Sequence, residues 1–201
     1  MTELELSRRE RKKEETRERI FKAACKLFRD KGFEDTTIDD ITERADVAKG
    51  TFFNYFPRKE AVLGYLSEVR MAEATENAEA ILSAPKAARE KLLALFADIA
   101  AGYEEDRDLS WFVLMENLKR AFTVSEDVHQ RWRDLTVGVI EQGQESGDLR
   151  RGVDPQRAEF VLHGVFMSTL FMWLKCPETV GMNLQDELRE RFTLVLDGLG
   201  A

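Results

Sequence analysis

The stretch TTIDDITERADVAKGTFFNYFPRKEAVL, Thr36–Leu63, decides how the chain is read. Thr37 suits a helix N-cap, with Asp40 three positions on as an approximate capping box. A short helix follows over about 38–45, with Ile38, Ile41 and Ala45 facing inward. The turn Ala45-Asp46-Val47 leads into a second short helix, about 48–54. Phe56-Pro57 ends that helix, because the residue before a proline avoids the helical region. Two short helices joined by a tight turn make a helix-turn-helix, whose second helix fits the major groove of DNA. Lys49 can reach a guanine edge or a phosphate, and Gly50 removes the side chain that would hold the backbone off a duplex. Thr51 can donate to a phosphate or touch a thymine methyl. Phe52 and Phe56 have inward spacing, whereas Asn54 and Tyr55 point outward. Thr36 and Thr37 can meet the DNA backbone from the start of the preceding helix. Lys59 lies at the start of the next helix, where charge and dipole both favour a phosphate.

Working outward, residues 16–31 place Ile20, Phe21, Ala24, Leu27 and Phe28 on one stripe, and Gly32 stops that helix. A helix from about 58 runs to about 83, where Pro85 interrupts. Five further helical patterns cover about 86–104, 109–121, 125–145, 155–175 and 184–199. The fourth opens on Asp154-Pro155, an N-cap followed by an N1 proline. The expectation is an all-α protein of about nine helices. A three-helix DNA-binding domain would occupy 1–60, with a basic arm over 1–15, and a larger helical domain 61–201.

The net charge of the 201 residues is −8, which taken alone speaks against nucleic acid. Its distribution says otherwise. Residues 1–60 hold 15 basic and 14 acidic residues, a net of +1, and residues 61–201 carry −9. Within 7–31 the net is +6. Arg8, Arg9, Arg11, Lys12 and Lys13 form an arm that either lies along DNA or is simply solvated. No apolar run approaches a membrane span, and the polar opening segment is no secretory signal. Two distant cysteines fit a reducing, cytoplasmic setting. Two histidines, no phosphate loop and no metal-ligand cluster argue against an enzyme, a metal site or a cofactor.

Over roughly Thr16–Leu66 the chain resembles the tetracycline-repressor (TetR) family of bacterial transcription regulators. Farther on, GDLRRGVDP (Gly147–Pro155) before a helix ending in Trp-Leu is also similar to the family. The resemblance implies phosphate contacts at Thr37, Tyr55 and Lys59, and groove positions at Lys49, Gly50, Thr51 and Asn54. Phe53 stands in the same set where the family commonly has a tyrosine, so one hydroxyl–phosphate bond is missing. Asp46 replaces the usual turn glycine, Ala48 lacks an N-cap hydroxyl, and Arg58 replaces a small polar cap. Aspartate tolerates left-handed geometry, so the turn is expected to survive.

One helix-turn-helix reads one half-site, so a homodimer on a double-stranded operator is expected. Phe160, Gly164, Met167, Ser168 and Phe171 form a stripe over 155–175 that would admit a partner helix, or pack within one subunit. By resemblance, helices 125–145 and 155–175 build a four-helix dimer interface. Phe96, Trp111, Met115, Trp132 and Phe166 suit an apolar effector pocket. Glu116, an acid inside WFVLMENL, either faces solvent or serves that pocket. These expectations together describe a repressor released by an apolar small molecule. The alternative is a helical interaction protein with a vestigial helix-turn-helix.

Overall fold

A computed structural model of the chain describes residues 8–121, 127–176 and 181–199. Nine helices lie among the described residues, and no strand. They are α1 (Arg8–Lys31), α2 (Ile38–Ala45), α3 (Lys49–Tyr55), α4 (Glu60–Ser83) and α5 (Ala88–Glu104). The chain continues through α6 (Arg107–Ala121), α7 (Asp127–Ser146), α8 (Pro155–Lys175) and α9 (Leu184–Leu199).

The start of α1 differs from expectation. Residues 8–15 extend the helix by two turns and are exposed, so the basic segment over Arg8–Lys13 is helical. Its Arg, Lys and Glu residues are good helix formers, and Arg11–Glu15 and Arg17–Glu14 pair along the surface at 3.8 and 4.0 Å. Residues 1–7 of the expected arm lie outside the described residues.

Two apolar cores share α4 and α6. Ile20, Phe28, Ile41, Phe52, Phe56, Leu63 and Leu66 fill the first, joined by Leu109 and Val113 from α6. The second half of α4 packs with α5, α7, α8 and α9 around Leu92, Phe96, Leu162 and Phe192. Gly143 lets α7 come close to α5: a Cβ there would lie 2.5 Å from that of Ala88. Asp148, beyond α7, accepts from the Ala88 amide at 3.1 Å and so caps α5.

Candidate nucleic-acid interface

The turn that presents α3 is built as its residue types demand. Thr37 Oγ1 accepts from the Asp40 amide at 3.1 Å, and Asp40 Oδ2 accepts from the Thr37 amide at 2.7 Å. This closes a full capping box. Lys31 Nζ also donates to Asp40 Oδ2, at 2.6 Å. That bond and those from Thr37 hold the Asp40 carboxyl far below the usual carboxylate range. Asp46 takes the left-handed conformation, φ 50°, and its amide reaches back to Glu43 and Thr42 carbonyls. Aspartate therefore does here what a glycine would do at less strain. Ala48 opens α3 without a side-chain cap.

Phe52 and Phe56 are buried with ring centroids 5.9 Å apart, and pin α3 onto α1 and α4. The opposite side of α3 faces water. Lys49, Gly50, Phe53 and Asn54 are exposed, and Thr51 and Tyr55 are half-buried. Thr37 is exposed beside them. Lys49 Nζ is paired with Asp39 at 2.8 Å on an open surface, a partner that a phosphate or guanine would have to displace.

Two of the expected contacts are occupied elsewhere. Thr36 is 1% exposed, and its hydroxyl donates to the Gly32 carbonyl at 2.7 Å, closing the turn after α1. Lys59 Nζ donates to the carbonyls of Phe33 (2.6 Å), Thr36 (2.8 Å) and Glu34 (3.2 Å), and sits 4.4 Å from the centre of the Phe33 ring. An ammonium has three N–H donors. All three are used, and they staple Lys59 at the start of α4 to the α1–α2 connection.

Glu116 is the larger correction. It is 2% exposed and receives both ends of the Arg58 guanidinium, at 2.6 and 3.3 Å. It does not face solvent. It ties the segment just after α3 to α6. Arg58 in turn is held above its usual pKa, chiefly by that bond. No periodicity marks a pair 58 positions apart, so no signal in the sequence announced it.

The other expected pocket residues divide. Phe96, Trp132 and Phe166 are buried against one another, Phe96 lying 6.1 Å from Trp132 and 5.7 Å from Phe166 between ring centres. Trp111 and Met115 are half-buried on α6, and Trp111 carries Lys175 Nζ 3.7 Å above its ring. A cleft of about 500 Å³ opens instead between α1, α4 and α5, and none of the six expected residues lines it. On α8, Phe160 is 76% exposed, with Val161, Gly164, Ser168, Phe171 and Met172 exposed on the same helix and Met167 half-buried. Leu194 of α9 is exposed as well. Among the described residues no helix is long and apolar enough to cross a membrane.

The family model for bacterial regulatory proteins of the tetR family matches residues 20–66, the stretch from α1 to the first turns of α4. Across nearly the whole chain there is similarity to Thermus thermophilus FadR, a TetR-family transcriptional repressor solved in complex with lauroyl-CoA. The two are 31% identical, with 92% of this chain and 95% of that one covered and a TM-score of 0.69. The transcriptional regulator FadR from Bacillus subtilis, in complex with stearoyl-CoA, shares the fold at 21% identity and a TM-score of 0.71, covering 90% and 98%. The fatty acid metabolism regulator protein of Bacillus subtilis is 24% identical over 159 residues, 77% of this chain and 81% of that protein. Kinship of that degree over the full length, joined to a matched helix-turn-helix, makes this chain a member of the TetR family, a DNA-binding transcriptional regulator and not an enzyme.

Proposed function

We propose that the protein is a homodimeric repressor that holds a palindromic operator and releases it when a long-chain acyl thioester of coenzyme A binds. The observation that carries this reading is the 31% full-length identity to a repressor bound to lauroyl-CoA. On this reading residues 1–60 read DNA in the cytoplasm and residues 61–201 bind the effector and the second subunit. Thr37, Lys49, Gly50, Thr51, Phe53, Asn54 and Tyr55 form the DNA face. Tyr55 and Thr37 donate to phosphates, and Asn54 reads a base edge. The exposed apolar face of α8 around Phe160 supports a dimer, since a patch of this kind is costly in water. Two such subunits would set their α3 helices about one DNA turn apart, roughly 34 Å. Release follows if the thioester prefers the dimer whose α3 helices no longer match that spacing.

The test is selection of DNA from a random pool, followed by gel shift with and without lauroyl-CoA. A palindrome is expected to emerge, and micromolar lauroyl-CoA to release it. Phe160→Glu is expected to yield monomers in sedimentation and to lose the palindrome. DNA binding that ignores lauroyl-CoA would overturn the effector. Failure to select any DNA would return the chain to the helical interaction protein.

A further inference from the structure

The cleft between α1, α4 and α5 brings together charges from both cores. Arg29 projects from the last turn of α1, Arg70 from the middle of α4 and Glu105 from the end of α5, and all three line the cleft. Arg70 is largely buried, its stem packed 3.6 Å from where a Cβ of Gly102 would sit and its guanidinium 6.0 Å from the centre of the Tyr103 ring. Neither of its Nη atoms makes a hydrogen bond. Glu105 Oε2 stands 3.9 Å from Arg70 Nη2 and 3.8 Å from Arg29 Nη2, close enough to attract both and too far to bond either. Burial works against the charge on Arg70, and Glu105, itself well exposed, only partly offsets it. The other cations of the cleft are satisfied locally: Lys22 by Glu18 at 2.6 Å and Lys26 by Asp30 at 2.7 Å.

Buried guanidinium donors without acceptors are costly, and a planar fork is matched by carboxylate and phosphate oxygens. The geometry points to an oxyanion site between Arg29 and Arg70, filled by the phosphate- or carboxylate-bearing end of a small molecule that displaces Glu105. The volume, about 500 Å³, lies within the range of small-molecule sites, and Leu66, Met71 and Ile99 give it apolar walls. An anion held there would bridge α1, in the core of the DNA-reading head, to α4 and α5 in the body. Its occupancy would therefore bias how the head sits. The site does not rest on the acyl thioester being the effector.

Calorimetry on the full-length protein with coenzyme A, dodecanoate and inorganic pyrophosphate tests this. Binding of coenzyme A or pyrophosphate assigns phosphate as the ligand chemistry, and binding of dodecanoate alone assigns carboxylate. In either case Arg70→Gln and Arg29→Gln are each expected to weaken binding roughly tenfold. Arg70→Lys, which keeps charge but loses the fork, is expected to rescue only part. Glu105→Gln is expected to tighten binding about threefold by removing the competitor, a gain that a merely structural Arg70 would not give. Failure of all three probes to bind overturns the site, as does binding indifferent to Arg70 and Glu105. Release of DNA by lauroyl-CoA while none of the three probes binds in an Arg70-dependent way would sink this site and leave the effector standing. Arginine-dependent anion binding by a protein that lauroyl-CoA does not release from DNA would leave the site standing and sink the effector.

Discussion

The Arg58–Glu116 pair makes a quantitative prediction, because its two ends are buried so unequally. Glu116 is 2% exposed while the Arg58 side chain is 51% exposed. Removing the arginine strands a carboxylate under the protein surface. Removing the acid leaves a guanidinium that can turn to water. Breaking a fully buried pair at one end costs about 3–5 kcal/mol, and an exposed pair is worth about 0–1 kcal/mol. Arg58→Ala therefore belongs near the first range, at about 3 kcal/mol, since the group left behind is the buried one. Glu116→Gln keeps the volume, loses one charge and belongs near about 1 kcal/mol. Arg58→Ala combined with Glu116→Met removes both charges and refills the space, and should cost less than Arg58→Ala alone. Urea unfolding with midpoints compared at constant slope measures all three. Equal costs for the two single changes, or a double variant as unstable as Arg58→Ala, would refute the argument from burial.

Lys59→Met should lower the melting temperature, because three carbonyls lose their donor, while the salt dependence of DNA binding stays at the wild-type slope; a slope smaller by about one would return Lys59 to the phosphate contacts. Glu159 of α8 is buried, and its Oε1 has no hydrogen-bond partner. Burial raises its carboxyl above the ordinary 4.5, with the Arg133 charge only partly opposing. The folded state thus binds that proton more tightly than the unfolded chain, so this group's contribution to stability falls as pH rises from about 4.5 through the folded value. Glu159→Gln should flatten that fall and raise the melting temperature at pH 8, and an unchanged pH profile would remove burial as the cause.

What was legible in the sequence was local. The Thr37–Asp40 box, the left-handed Asp46, the inward Phe52 and Phe56 and the Gly32 stop each follow from residues within four positions of one another. Such signals are written in backbone conformation, so they survive without tertiary information. Glu116, Lys59 and Arg70 carry no such local signal, because their partners lie in segments between helices, 58, 26 and 35 positions away in the cases of Arg58, Phe33 and Glu105. In the aromatic load of the second half, Phe96 packs on both Trp132 and Phe166. Spacing along a helix says which face turns inward, not whether the space behind it is filled. The extra turns of α1 were missed because a charged segment without an apolar stripe gives no period to read.

The 24 residues of α4 span about 36 Å and furnish a wall to each core in turn. Val62, Leu63 and Leu66 belong to one, Ala74 and Ala78 to the other. A chimaera that grafts this head onto a different body has to carry α4 through at least Leu66, and must find in its new host apolar side chains to replace Leu109 and Val113 of α6. A seam cut before α4 would expose Phe52 and Phe56 to water and leave the recognition helix without a floor. Reading and sensing are thus not detachable cassettes in this molecule: the same beam that frames one is built into the other.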